Sequence, residues 1–111
     1  MSNSSLYKGS LNTIIMKLLE EQGRMYGYEI SQKVKEITGG ELKITEGALY
    51  PALHKLEAEG LLDVEVEKVD NRLRKYYKLT EKGSKETVNL LSELDEFIKN
   101  MQMLTRPNLG Y

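Results

Sequence analysis

The chain has 111 residues, of which 40% are apolar and 30% charged, with a net charge of −1: the size and make-up of one small globular domain. It has no cysteine, a single histidine, no Gly-rich phosphate loop and no apolar run near the ~20 residues of a membrane span. Disulfides, thiolate metal sites and a spanning helix are thereby excluded, and neither a catalytic triad nor a metal cluster is expected. The expectation is a cytoplasmic protein with no signal peptide, no catalytic residues, no metal and no cofactor.

Residues 1–5 are polar, and residues 1–8 are expected to be a flexible start. The first periodic segment, residues 10–22, carries Leu11, Ile14, Ile15, Leu18 and Leu19 at i, i+3, i+4, i+7 and i+8, an amphipathic helix closed by Gly23. A second helix is predicted over residues 27–38, with Ile30, Val34 and Ile37 on one stripe and Gly39-Gly40 as the turn that ends it. Residues 41–44 read as a short strand or a loop.

A third helix starts after Thr45, whose hydroxyl suits an N-cap, and stops at Gly60. Leu49, Leu53 and Leu56 are spaced for the core. Pro51 removes one backbone bond, to the carbonyl of Gly47, a tolerable loss near the front of a helix. With the leucines inward, Glu46, Tyr50 and His54 fall on or near the opposite face, with Thr45 at its entrance.

Leu62, Val64 and Val66 then alternate with Asp63, Glu65 and Glu67, a half-buried strand. Asp70-Asn71 is the turn, and residues 73–79 alternate on the way back. Acidic side chains on the first strand face basic ones on the second, which favours the register.

The overall balance is acidic, with a pI of about 5.9, whereas DNA-binding domains commonly lie above pI ~9. The distribution is more informative than the sum. Residues 68–78 hold Lys68, Arg72, Arg74, Lys75 and Lys78 against Asp70 alone, while the rest of the chain, 11 basic against 16 acidic, nets −5. A helix followed at once by a hairpin with a basic tip is the working end of a winged helix, in which the helix meets base edges and the wing meets phosphates. Thr45, Glu46, Tyr50 and His54 are the candidates on the recognition helix; Arg72, Arg74 and Lys75 are the candidates on the wing.

From residue 80 to about 105 a long helix follows. Leu91, Leu94, Ile98 and Met101 repeat at 3-4-3, and Leu90, Phe97 and Leu104 recur every seven residues. Its ~37 Å length at 1.5 Å per residue exceeds what a three-helix core covers, so a second copy of the chain is expected along it.

Three segments carry a family resemblance: Tyr26-Gly27-Tyr28-Glu29-Ile30; residues 47–61 with Leu49-Tyr50-Pro51; and Arg74-Lys75-Tyr76-Tyr77 through Leu79-Thr80-Glu81 and Gly83. Over about residues 9–105 the chain resembles the PadR family of bacterial transcriptional regulators, in its short, single-domain form. The resemblance implies an α+β, mainly α, winged helix-turn-helix over residues 9–80, a dimerisation helix over 81–105 and a tail from 106 to 111. It further implies a homodimeric repressor that reads a pseudo-palindromic operator in double-stranded DNA and is released by a small molecule.

Family dimers join through the first and last helices, which here gives Leu11, Ile15, Leu91, Leu94, Phe97, Ile98 and Met101 as interface residues. Multidrug-binding relatives stack aromatic drugs between tryptophans of the last helix. This chain has no tryptophan and carries Leu94 at that position, leaving Ile15, Leu18, Leu91 and Leu94 to line a pocket for an apolar or aromatic effector. Two other readings compete: a winged helix used for protein–protein contact, which the acidic balance favours, and a ligand carrier.

Overall fold

The computed structural model describes residues 7–106. In chain order the elements are α1 (Leu11–Gln22), β1 (Arg24–Tyr26), α2 (Gly27–Ile37), α3 (Glu46–Ala58), β2 (Leu62–Val69), β3 (Arg72–Leu79) and α4 (Glu81–Thr105). The strands form one antiparallel sheet in the order β1-β3-β2. Three helices, this small sheet and a long final helix are the mainly α, α+β winged helix expected.

The expected flexible start falls mostly on residues 1–6, outside the described residues, as does the tail from 107 onwards. Tyr7 and Lys8 belong to the folded part: a short 3-10 turn spans Lys8–Ser10, and the Tyr7 hydroxyl donates to the carbonyl of Lys43.

Ile15, Met16 and Leu19 of α1, Ile30 and Val34 of α2, Leu49, Leu53 and Leu56 of α3, Leu62 and Tyr77 form one continuous apolar core. Gly23, at φ +88°, ends α1 with its N–H on the carbonyl of Leu19. The chain then enters β1, a strand whose three residues are too few to show a period. Ile37 departs from the predicted stripe. It is 63% exposed, because the last turn of α2 runs past the core. Residues 41–45 form a loop, with the Thr38 hydroxyl donating to Val34 and accepting from the Leu42 N–H.

Thr45 caps α3, its hydroxyl accepting from the Ala48 N–H at 3.3 Å. At the far end Gly60, at φ +78°, closes a reciprocal pair of bonds, Leu61 N–H to Leu56 and Gly60 N–H to Glu57. These satisfy two of the carbonyls every helix end leaves free.

Asp70 and Asn71, at φ +50° and +64°, make the two-residue turn that matches the twist of a hairpin. Asp63 lies opposite Lys78 and Glu67 opposite Arg74, as the charge pattern predicts. The half-buried strand is only partly found. Leu62 is buried and Val64 intermediate, but Val66 is 54% exposed, because the outer half of the hairpin stands clear of the core.

Thr80 begins α4, accepting from the Gly83 N–H and donating to the carbonyl of Gly60. Gly83 and Thr87 are buried where α4 crosses the end of α3, and α1 covers the next two turns. Beyond Leu94 no residue of α4 is buried, and the molecule extends to 58 × 32 × 20 Å.

Candidate nucleic-acid interface

Pro51 does not interrupt α3, so Tyr50 and His54 stand one turn apart on the face opposite Leu49, Leu53 and Leu56. The hairpin leaves the body beside this face. β1 pairs only with the inner part of β3, from Tyr76 to Lys78, so the Arg72–Lys75 edge of β3 has no neighbour on that side. The result is an open cleft of about 430 Å³ lined by Tyr50 and His54 from α3, Arg72, Arg74 and Lys75 from the wing, and Tyr26 and Gly27 at the start of α2.

Five of the seven residues expected to face nucleic acid are thus brought together. Thr45 and Glu46 are not among them; they lie exposed at the front of α3, where the Thr45 hydroxyl is engaged in capping and the Glu46 carboxylate sits in the first helical turn. Tyr26, Gly27, Leu73 and Tyr77 also line the cleft and are the members that the sequence reading missed. Gly27 holds Tyr50 in place: a Cβ there would lie 2.6 Å from the phenol oxygen. The absent methyl lets the ring rest on the α2 N-terminus, so Tyr50 both packs and presents its hydroxyl to the cleft.

The basic residues differ in their availability. Arg72, Lys75 and Lys68 have no ion-pair partner among the described residues. Lys78 is engaged with Glu65 at 2.7 Å. Arg74 is half-buried, its guanidinium 4.0 Å above the Tyr26 ring. Opposite the core, Arg24 binds both Glu65 and Glu67 and lies 4.2 Å over Tyr76.

Hydrogen bonds to Lys78 and then Arg24 hold the Glu65 carboxyl below its ordinary value. A depressed carboxylate stabilises the folded state above its unfolded pKa, and that contribution is lost as pH falls through the folded value. Both partners are solvent-exposed, so the effect on global stability is small.

The second group of expected residues sits on the far side. Thr13, Ile14, Lys17, Leu18 and Glu21 of α1, Val34 and Ile37 of α2, Thr38 and Leu42 just beyond it, and Leu91 and Leu94 of α4 enclose a mainly apolar groove of about 330 Å³. Leu18, Leu91 and Leu94 therefore line a cavity together. Ile15 does not, and neither Ile15 nor Leu11 offers an interface surface: both are consumed by the chain's own core. The helical step of ~100° per residue puts Ile14, not Ile15, on the groove. Phe97, Ile98 and Met101 are exposed on the free half of α4.

A family model described as the Transcriptional regulator PadR-like family matches residues 15–89. An uncharacterised protein of Lysinibacillus sphaericus is 35% identical over 97 residues, 86% of this chain and 88% of its own length. The transcriptional regulator Rv3488 of Mycobacterium tuberculosis is 36% identical over 76 residues, 68% of this chain and 64% of its own. The structure of a transcriptional regulator from Clostridium thermocellum superposes with a TM-score of 0.85 at 30% identity, over 92% of this chain and 99% of that one. Bacillus subtilis PadR, solved in complex with operator DNA, gives a TM-score of 0.66 at 30% identity, over 73% of this chain and 45% of that one.

Proposed function

The chain belongs to the PadR-like family of transcriptional regulators, and on that premise we propose that it is a homodimeric, sequence-specific DNA-binding repressor released by a small apolar or aromatic molecule. One observation carries the DNA-binding part: the cleft in which Tyr50 and His54 of α3 stand beside Arg72 and Lys75, two cations with no ion-pair partner among the described residues. The operator complex of the Bacillus subtilis relative supports the same reading.

α3 enters the major groove, where its side chains read base edges, and the hairpin lies along the phosphates. Residues 9–80 form the DNA-binding part and residues 81–105 the dimerisation helix. The dimer reading rests on Phe97, Ile98, Met101 and Leu104, large apolar side chains exposed along the free half of α4, a surface that a second copy would cover. Two recognition helices one turn of DNA apart, ~34 Å, suit a pseudo-palindrome. The groove at Ile14, Leu18, Leu91 and Leu94 takes the effector; it adjoins α4, so a ligand there acts on the spacing of the two recognition helices.

With Arg72 and Lys75 both changed to alanine, the slope of log affinity against log salt is expected to fall by about 1.8, at ~0.9 per lost phosphate contact. Specific and random duplexes should weaken alike, because phosphates carry no sequence. A titration by fluorescence anisotropy at several salt concentrations reads both quantities. An unchanged slope would remove the wing from the interface.

A further inference from the structure

We propose that Arg24, which does not line the cleft, is a positioning residue for the wing: it sets the pitch at which the hairpin carries Arg72 and Lys75 alongside α3. This inference rests on the DNA-binding reading.

The strand order is β1-β3-β2, so a side chain of β1 meets β2 only by reaching over β3. Arg24 does so. Its guanidinium crosses the Tyr76 ring of β3 at 4.2 Å and ends on Glu65 at 2.9 Å and Glu67 at 2.5 Å, both on β2. Lys78 holds the other oxygen of Glu65. A second stack runs the opposite way, with Arg74 of β3 over Tyr26 of β1, and the two tyrosine rings meet edge to face at 5.5 Å.

These clasps start at the root of the hairpin and reach Glu67 and Arg74 in its outer half, on the sheet face away from the core. They matter there because the outer hairpin has no other support. Val66 and Leu73 are exposed, β1 ends at Tyr26, and an isolated two-stranded ribbon is marginal in water. The direction of the tip is therefore set by these clasps. Only a planar, forked cation can stack on Tyr76 and bind two carboxylates at once, which an ammonium cannot reproduce. Arg24 also neutralises the two carboxylates that would otherwise oppose phosphates.

The test is a double-mutant cycle on DNA affinity in the full chain, with Arg24→Met, Glu65→Gln/Glu67→Gln and the triple variant. Arg24→Met alone should weaken binding about fivefold, the scale of a surface ion-pair network, and Arg24→Lys should restore only part of it. In the Glu65→Gln/Glu67→Gln background the same change should cost less than about twofold, because the groups through which Arg24 acts are gone. An equal loss in both backgrounds would mean that Arg24 touches DNA itself, and no loss in either would leave it without a role; each overturns the proposal.

If the unmutated chain fails to bind DNA at low salt, the DNA-binding reading fails on its own account. The positioning claim is then decided by amide hydrogen exchange in residues 66–73. Faster exchange in Arg24→Met, with an unchanged urea midpoint, upholds it, and unchanged exchange refutes it.

Discussion

A Gly83→Ala protein should unfold in urea with about 2–3 kcal/mol less stability than the unmutated chain, although alanine is the better helix former by ~1 kcal/mol. Gly83 sits where the first turn of α4 crosses the end of α3. A Cβ there would lie 2.1 Å from the carbonyl oxygen of Leu61 and 3.0 Å from its carbon. The obstacle is backbone, and it is held fast. The Leu61 carbonyl accepts from the Thr80 N–H, and the Leu61 N–H closes the α3 terminus on Leu56. Relieving the clash means pulling α4 away from the Thr80–Leu61 bond and from the buried Leu61, so sterics outweigh propensity.

Gly47→Ala is the matched comparison. It lies in a helix where the added methyl meets nothing within 4 Å beyond its chain neighbours and the helix's own backbone, and it should be neutral or stabilising by up to ~1 kcal/mol. Both are read by circular dichroism at one fixed protein concentration, since the proposed self-association would contribute to apparent stability. A Gly83→Ala midpoint at or above the unmutated value would contradict the described crossing.

Replacing Phe97 and Leu104 together by aspartate should convert the proposed dimer to monomer at micromolar concentration. The two side chains are 60% and 76% exposed in the single chain, and a two-fold interface buries each of them twice. At ~1.5 kcal/mol for each large apolar side chain removed from water, four of them amount to ~6 kcal/mol, a weakening of about four orders of magnitude. Sedimentation velocity measures the mass directly. The same variant should lose tight operator binding, since one recognition helix engages only half a site, yet keep its core, to which neither residue contributes. A variant that stays dimeric would place the interface elsewhere and leave the free half of α4 without a partner.

The elements most legible in the sequence were those whose residues carry their own punctuation. Thr45, Gly60 and the leucine spacing bounded α3, and Asp70-Asn71 between two alternating runs marked the hairpin. β1 was hidden because three residues show no period, and its Arg24 finds its carboxylates 41 and 43 positions later, a pairing that only the sheet order creates. The assignment of Leu11 and Ile15 to an interface failed for a different reason. α1 is apolar over a wide arc, and periodicity does not tell which part of that arc the chain's own core takes; the fold gives Ile15 to the core and Ile14 to the groove. On the cleft, residue types were enough to nominate Tyr50, His54, Arg72 and Lys75. The engagement of Lys78 by Glu65 and the stacking of Arg74 on Tyr26 depend on register and were not readable one residue at a time.

Whether the chain is a sequence-specific DNA-binding protein is decided by titrating the unmutated protein with a labelled duplex from upstream of its own gene, and with random duplex of the same length, at about 50 and 200 mM salt. Saturable binding is expected that weakens steeply with salt and prefers the upstream duplex at both concentrations. Absence of binding to either duplex at the lower salt would contradict the DNA-binding reading and leave the basic hairpin in need of a different partner.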